Sequence, residues 1–114
     1  MEEQNTITIE DFFKTELKVG KVLTCEKVPK SKKLLKMEID LGEEVRQVLA
    51  GLAPWYLPEE VVGRRVVVVA NLQPAKLMGL ESQGMVLAAT GDAEGSVPCF
   101  VQVPEGVPVG ARIR

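Results

Sequence analysis

The groups in this chain best suited to chemistry are cations and amides, and they fall in two places. "PKSKKLLK" (29–36) concentrates Lys30, Lys32, Lys33 and Lys36. "NLQPAKLMGLESQGM" (71–85) supplies Asn71, Lys76, Ser82, Gln83 and the Gly84 backbone, and ends on Met85. Between them Arg46 stands opposite in phase to Val45 and can reach the same face. Such groups bind rather than relay protons: Lys and Arg meet phosphates, while Asn, Ser, Gln and backbone N–H groups reach sugar hydroxyls and phosphate oxygens. Covalent and acid–base chemistry is poorly served. The chain has no histidine, which removes the commonest general base, the commonest zinc ligand and the usual activator of a Ser or Cys nucleophile. "GLESQG" is out of register with the G-x-S-x-G turn, and no Walker-type phosphate loop is present. The acid pairs Glu43-Glu44 and Glu59-Glu60 sit in a turn and at a helix start. We expect no catalytic residue, no metal and no cofactor, and read the chain as not an enzyme by itself.

Net charge is −2, which taken whole argues against a polyanionic partner. Its distribution argues the reverse. Residues 14–36 hold eight lysines against Glu16 and Glu26, a local +6, leaving −8 on the remainder. That asymmetry is either a polyanion footprint or a solvated face. Local readings stand beside the functional ones: Asn71 and Ser82 also suit caps on loop backbone, and Met85 is either core or contact. Cys25 and Cys99, without a CxxC spacing, read as small packing residues rather than a disulfide. The acidic start "MEEQNTITIEDF" lacks the basic and apolar regions of an export signal, and no apolar run approaches the ~20 residues of a membrane helix. A cytoplasmic protein with no membrane partner is expected.

The elements that must position these groups are mostly strands. Thr8 with Asp11 three residues later starts a short helix carrying Ile9, Phe12 and Phe13. A strand is predicted over 18–28, with Gly20 as a bulge or sharp coil, then a turn over 28–33. "LLKMEIDL" (34–41) alternates cleanly, with Leu35, Met37, Ile39 and Leu41 on one side. Gly42-Glu43-Glu44 turns the chain into a hairpin partner over 45–52. Pro58 to Val62 forms a second short helix stopped by Gly63. "RVVVVANL" (65–72) is β-branched enough for a strand buried on both faces. Residues 71–85 then form an overlong loop before a last strand over 84–90. The proline-rich tail from 97 offers edge strands only. Five strands, with a small helix between the third and fourth, give an all-β, five-stranded OB-fold Greek-key barrel with a short N-terminal helix and a C-terminal extension. We expect one domain, 1–114, with the 1–15 segment and the 97–114 tail outside the barrel and forming a dimer contact.

"ELKVGKVL", "SKKLLKMEIDLG", "RQVLAGL" and "LPEEVVGRRVVVVANLQPAKLMGLESQGMVLAA" together resemble a known family. It is the OB-fold tRNA-binding domain, found free-standing as a small bacterial tRNA-binding protein and appended to the C-terminus of many methionyl-tRNA synthetases. The family is related to the endothelial monocyte-activating polypeptide II domain. The resemblance runs from about Ile9 to Arg114, and its most specific part is Asn71-Leu72 through Gly79, then Glu81-Ser82-Gln83-Gly84-Met85. It implies non-catalytic binding of tRNA by shape and backbone, homodimerisation, and a synthetase catalytic domain as a possible companion in cis. Relatives often carry an acid where this chain has Lys32 within Ser31-Lys32-Lys33, which raises the local positive potential. The loop joining strands one and two and the loop joining strands four and five frame an OB binding face. Hence the expected tRNA contacts are Lys30, Lys32, Lys33, Lys36, Arg46, Asn71, Lys76, Ser82, Gln83 and Met85. Phe12 and Phe13 lie in the first helix and Trp55-Tyr56 in a connection where packing is the better reading, so base stacking is expected to be minor. The competing reading is a protein-binding module, export-chaperone-like or a scaffold within a synthetase complex. Related chaperone-like proteins differ in the 71–85 loop, which favours RNA.

Overall fold

A computed structural model describes residues 5–114 of the chain; the first four residues of the expected 1–15 segment lie outside the described residues. In chain order the elements are α1 (Ile9–Phe13), β1 (Leu17–Lys27), β2 (Leu35–Asp40), β3 (Val45–Ala50), α2 (Pro58–Val61), β4 (Arg65–Val69), β5 (Ala75–Leu77), β6 (Leu80–Ser82), β7 (Met85–Val86), β8 (Ala88–Ala89), β9 (Cys99–Phe100) and β10 (Arg112–Ile113). Thr8 caps α1, its Oγ1 accepting the Asp11 N–H at 3.0 Å. The Asp11 carboxylate turns away to Lys14 Nζ, 3.2 Å distant. At α2, Pro58 opens the first turn and the Glu60 carboxylate accepts the Leu57 N–H at 2.7 Å, satisfying a donor that the helix leaves free.

The core follows the alternation of the sequence. Leu35, Met37, Ile39 and Leu41 are all buried, and the four valines of β4 are each no more than 4% exposed. The main sheet is antiparallel in the order β3-β2-β1-β4-β7, with β10 added to β1. β1 serves two sets of neighbours: Leu17 to Lys21 pair with β4, and Lys21 to Lys27 with β2. A register shift between Val22 and Thr24 lets it bend from one to the other. The bulge therefore lies beyond Gly20, where the sequence had pointed. Gly20 answers to packing: a Cβ there would sit 2.5 Å from Ile39 Cγ2 and 3.1 Å from Val68 Cγ2, so only glycine lets the barrel walls approach.

Closure of the barrel falls between β3 and the segment just before β7. Gln83 N–H donates to Gln47 O at 2.8 Å, and Gln47 N–H donates to Gln83 Oε1 at 3.1 Å. Leu49 N–H donates to Ser82 Oγ at 3.0 Å. One backbone bond and two side-chain acceptors thus replace a regular ladder, giving a nearly closed, OB-type all-β barrel. The 71–85 connection is not a plain loop. It contains the β5–β6 hairpin, registered Ala75↔Ser82 through Leu77↔Leu80 and turned by Met78 and Gly79, both at positive φ. The expected 84–90 strand is broken at Leu87, whose N–H donates to Val67 O at 3.0 Å while its carbonyl accepts from Val101; the chain passes there from β4 to β9.

The tail docks on two edges. Val67 N–H donates to Val101 O and Val103 N–H to Arg65 O, while β10 and Ala111 run along β1. Phe100 joins the main core cluster. Cys25 and Cys99 are both free thiols, the first half-buried against the core and the second exposed, so packing accounts for Cys25 alone. Among the described residues, no helix is long and apolar enough to cross a membrane.

Candidate nucleic-acid interface

The lysine loop between β1 and β2 is built by its own serine. Ser31 Oγ accepts the N–H groups of Lys33 and Leu34 at 3.2 and 3.1 Å, and Lys30 takes a positive φ of 70°. That turn throws Lys30, Lys32 and Lys33 outward, all exposed. Among the described residues, none of the three is engaged in an ion pair, and neither is Lys76 on β5. Lys36 differs: its Nζ lies 2.9 Å from Glu26 Oε1 across the β1–β2 ladder. Exposed ammonium groups on turns and strand faces create a local positive field that attracts a polyanion or counterions.

The other expected contacts are already bonded within the fold. Arg46 grips Glu44 with Nε and Nη2, at 2.8 and 3.0 Å, and its Nη1 donates to Ala70 O. That pairing holds the Glu44 carboxyl below its ordinary value and raises Arg46. Asn71 is exposed, yet its Oδ1 accepts the Glu16 N–H at 2.8 Å and its Nδ2 donates to Lys14 O at 2.6 Å, tying the end of α1 to the end of β4. Ser82 is 5% exposed, and its hydroxyl, besides accepting from Leu49, donates to Gly84 O at 3.1 Å. Gln83 Nε2 donates to Glu81 Oε1 at 3.1 Å. At Gly84 a Cβ would stand 3.1 Å from Val69 O, so the string Ser82-Gln83-Gly84 is shaped first for barrel closure. Met85, open between two roles in the sequence, is 46% exposed.

Two groups of expected residues emerge from this placement. Arg46, Asn71 and Gln83 line one groove of about 550 Å³, together with Glu44 and Ala70 to Pro74. The lysine loop lies at the other end of β2 and β3: Lys36 is registered against Leu49, the residue whose N–H Ser82 accepts. Lys76 stands apart on the β5–β6 hairpin, opposite Glu81. Two residues escaped the sequence reading. Gln47 supplies both backbone groups of the closure and donates from Nε2 to Glu81 O at 2.8 Å; a polar residue beside Arg46 in an otherwise apolar strand was its signal. Trp55, read as packing, is 45% exposed, whereas Tyr56 packs on the core. Adjacent residues of a short connection rarely both face inward. Among the described residues, no group of three or more His, Cys, Asp or Glu could hold a metal ion.

Known proteins match this arrangement. A family model described as "Putative tRNA binding domain" matches residues 17–112. The methionine–tRNA ligase of Thermotoga maritima is 66% identical over 87 residues, covering 76% of this chain but 14% of that enzyme. The chain thus spans about a seventh of that relative's length. Among solved structures, the MetRS-related protein of Pyrococcus horikoshii superposes with a TM-score of 0.90 at 40% identity, covering 100% of both chains. The chaperone CsaA of Bacillus anthracis superposes with a TM-score of 0.81 at 30% identity, covering 96% of this chain and 99% of that one.

Proposed function

The chain belongs to the tRNA-binding domain family, and from that premise we propose that it binds tRNA without catalysing a reaction. Binding runs through the sugar–phosphate backbone and the molecule's folded shape. The observation that carries this reading is the exposed lysine turn of Lys30, Lys32 and Lys33, with Lys76 exposed on the β5–β6 hairpin, none of them in an ion pair among the described residues. Lys36 and Arg46 add charge that Glu26 and Glu44 partly balance. Met85 is exposed, and we assign it and backbone groups of the 71–85 segment to the same interface. Asn71, Ser82 and Gln83 support the interface from behind by holding its loops in place.

The setting we propose is cytoplasmic translation, as a free-standing binder or as the C-terminal part of a methionyl-tRNA synthetase. There it would raise the local concentration of tRNA near the catalytic domain in cis. A homodimer fits the exposed apolar side chains of Ile7, Ile9 and Phe13 at the N-terminal end. Of these, Phe13 lies beside the tail, where Arg112 Nη2 donates to Phe13 O at 2.9 Å.

The likeness to a CsaA chaperone favours one competing reading, an unfolded-polypeptide binder. The two separate in an anisotropy titration with bulk tRNA, a blunt RNA duplex and an unfolded polypeptide, each across salt. We expect tRNA to bind tightest, with affinity falling steeply as salt rises because each phosphate contact releases counterions. Equal binding of tRNA and polypeptide, or a flat salt dependence, would overturn the reading.

A further inference from the structure

Trp55 and Tyr56 share the connection between β3 and α2 but meet opposite fates. The Tyr56 ring packs 5.0 Å from the Phe100 centroid, and its hydroxyl donates to Pro98 O at 2.8 Å. Trp55, the only tryptophan in the chain, keeps 45% of its surface in water, although a tryptophan is among the side chains with most to gain from burial. Its backbone is firmly held. Trp55 and Tyr56 N–H both donate to Leu52 O at 3.0 and 3.2 Å, and Leu57 N–H to Glu60 Oε1 at 2.7 Å. Pro54 and Pro58 stiffen either side. The connection is therefore a rigid mount that presents an indole ring outward.

What surrounds the indole selects a ligand class. Trp55 lines a recess of about 220 Å³ with Lys27, Tyr56, Leu57 and Glu60. Ala53 N–H donates to Lys33 O at 3.0 Å, which draws the lysine loop against the same connection. An exposed aromatic side chain with Lys27 in its recess and the Lys30–Lys33 turn tied to its connection suits a nucleotide, a base with a π-face next to its phosphates. Glu60, already accepting from Leu57, disfavours a phosphate in the recess itself and leaves an acceptor for a base amino group. We propose that Trp55 stacks an unpaired nucleobase of the bound RNA, a subsite at the edge of the backbone-reading face. This rests on the tRNA-binding reading above and adds to it a requirement for a single-stranded element.

With one tryptophan, intrinsic emission of the full chain reports on Trp55 alone. Titration with tRNA should quench it in step with the anisotropy of labelled tRNA, while a blunt RNA duplex should bind without quenching. Trp55→Ala should weaken tRNA binding at least about fivefold, the low end of what base–aromatic stacking supplies. Trp55→Phe should restore most of the affinity, and Trp55→Leu, apolar but without a π-face, should not. Full tRNA binding with unchanged emission, or rescue by Leu equal to that by Phe, would overturn the stacking site and leave the binding reading standing. Absence of any tRNA binding by the unaltered chain would instead overturn the reading beneath it.

Discussion

Ser82, expected from the sequence as an RNA contact, already has its hydroxyl engaged within the barrel. Its hydroxyl is buried, accepting from Leu49 and donating to Gly84. Ser82→Ala leaves the Leu49 N–H without an acceptor in a dry site, so we expect a stability loss of about 1–3 kcal/mol in urea unfolding. Affinity for tRNA should fall only as far as the folded fraction does. A large affinity loss at unchanged stability would instead place the hydroxyl on the RNA. The thiols offer a second check. Burial, with Glu26 adding to it, pushes Cys25 up to about 11, and the thiolate is the reactive form. At pH 8 one thiol per chain, the exposed Cys99, should react rapidly with a disulfide reagent, and both in denaturant. Because the folded-state value is raised, the contribution of Cys25 to stability is present below the ordinary 9.0 and is lost as pH climbs towards 11. Glu44 runs the opposite way. Its depressed value means the Arg46 clamp is retained through neutral pH and is lost only as acid carries the solution below the ordinary 4.5.

At the scale of elements, the lysine turn and the β5–β6 hairpin divide the work. The turn is ordered by Ser31 and carries charge; the hairpin lends one lysine, and its base, Ser82, helps close the barrel. Replacing Lys30, Lys32 and Lys33 together by Ser should flatten the slope of log affinity against log salt by about two to three, roughly 0.7–0.9 for each phosphate no longer neutralised. Melting should barely change, since among the described residues the three side chains carry no ion pair. An unchanged slope would return the turn to mere solvated surface. Much of this was legible beforehand. Alternation along 34–41 marked the buried side chains of β2, and the valine run of β4 marked a strand buried twice over. The hairpin within 71–85 was hidden, because its strands are three residues each and its turn carries Met78 at positive φ, a residue without turn preference.

Across the whole molecule, the tail and α1 act on one end of the barrel. β10 pairs with β1, Gly110 N–H donates to Val19 O at 2.7 Å, and Arg112 reaches Phe13 O. Removing residues 104–114 bares one edge of β1, so we expect a lower melting temperature together with loss of the proposed dimer by light scattering. A dimer that survives the truncation at full stability would move the self-contact elsewhere. With no histidine in the chain, tRNA affinity should stay flat from pH 6 to 8. What the sequence determined by itself was whatever depends on neighbours in the chain: strand alternation, helix starts, the charge concentrated over 14–36, and the family resemblance of the 71–85 string. Tertiary structure alone decided which polar groups remain available. Burial and hydrogen bonding across the barrel consume Ser82, Gln83 and Asn71 while leaving Lys30, Lys32, Lys33 and Trp55 facing water. No local pattern encodes that division: Gly84 and Glu81 are near neighbours of Ser82 and Gln83, but the partners Leu49, Gln47 and Glu16 lie more than thirty residues away along the chain.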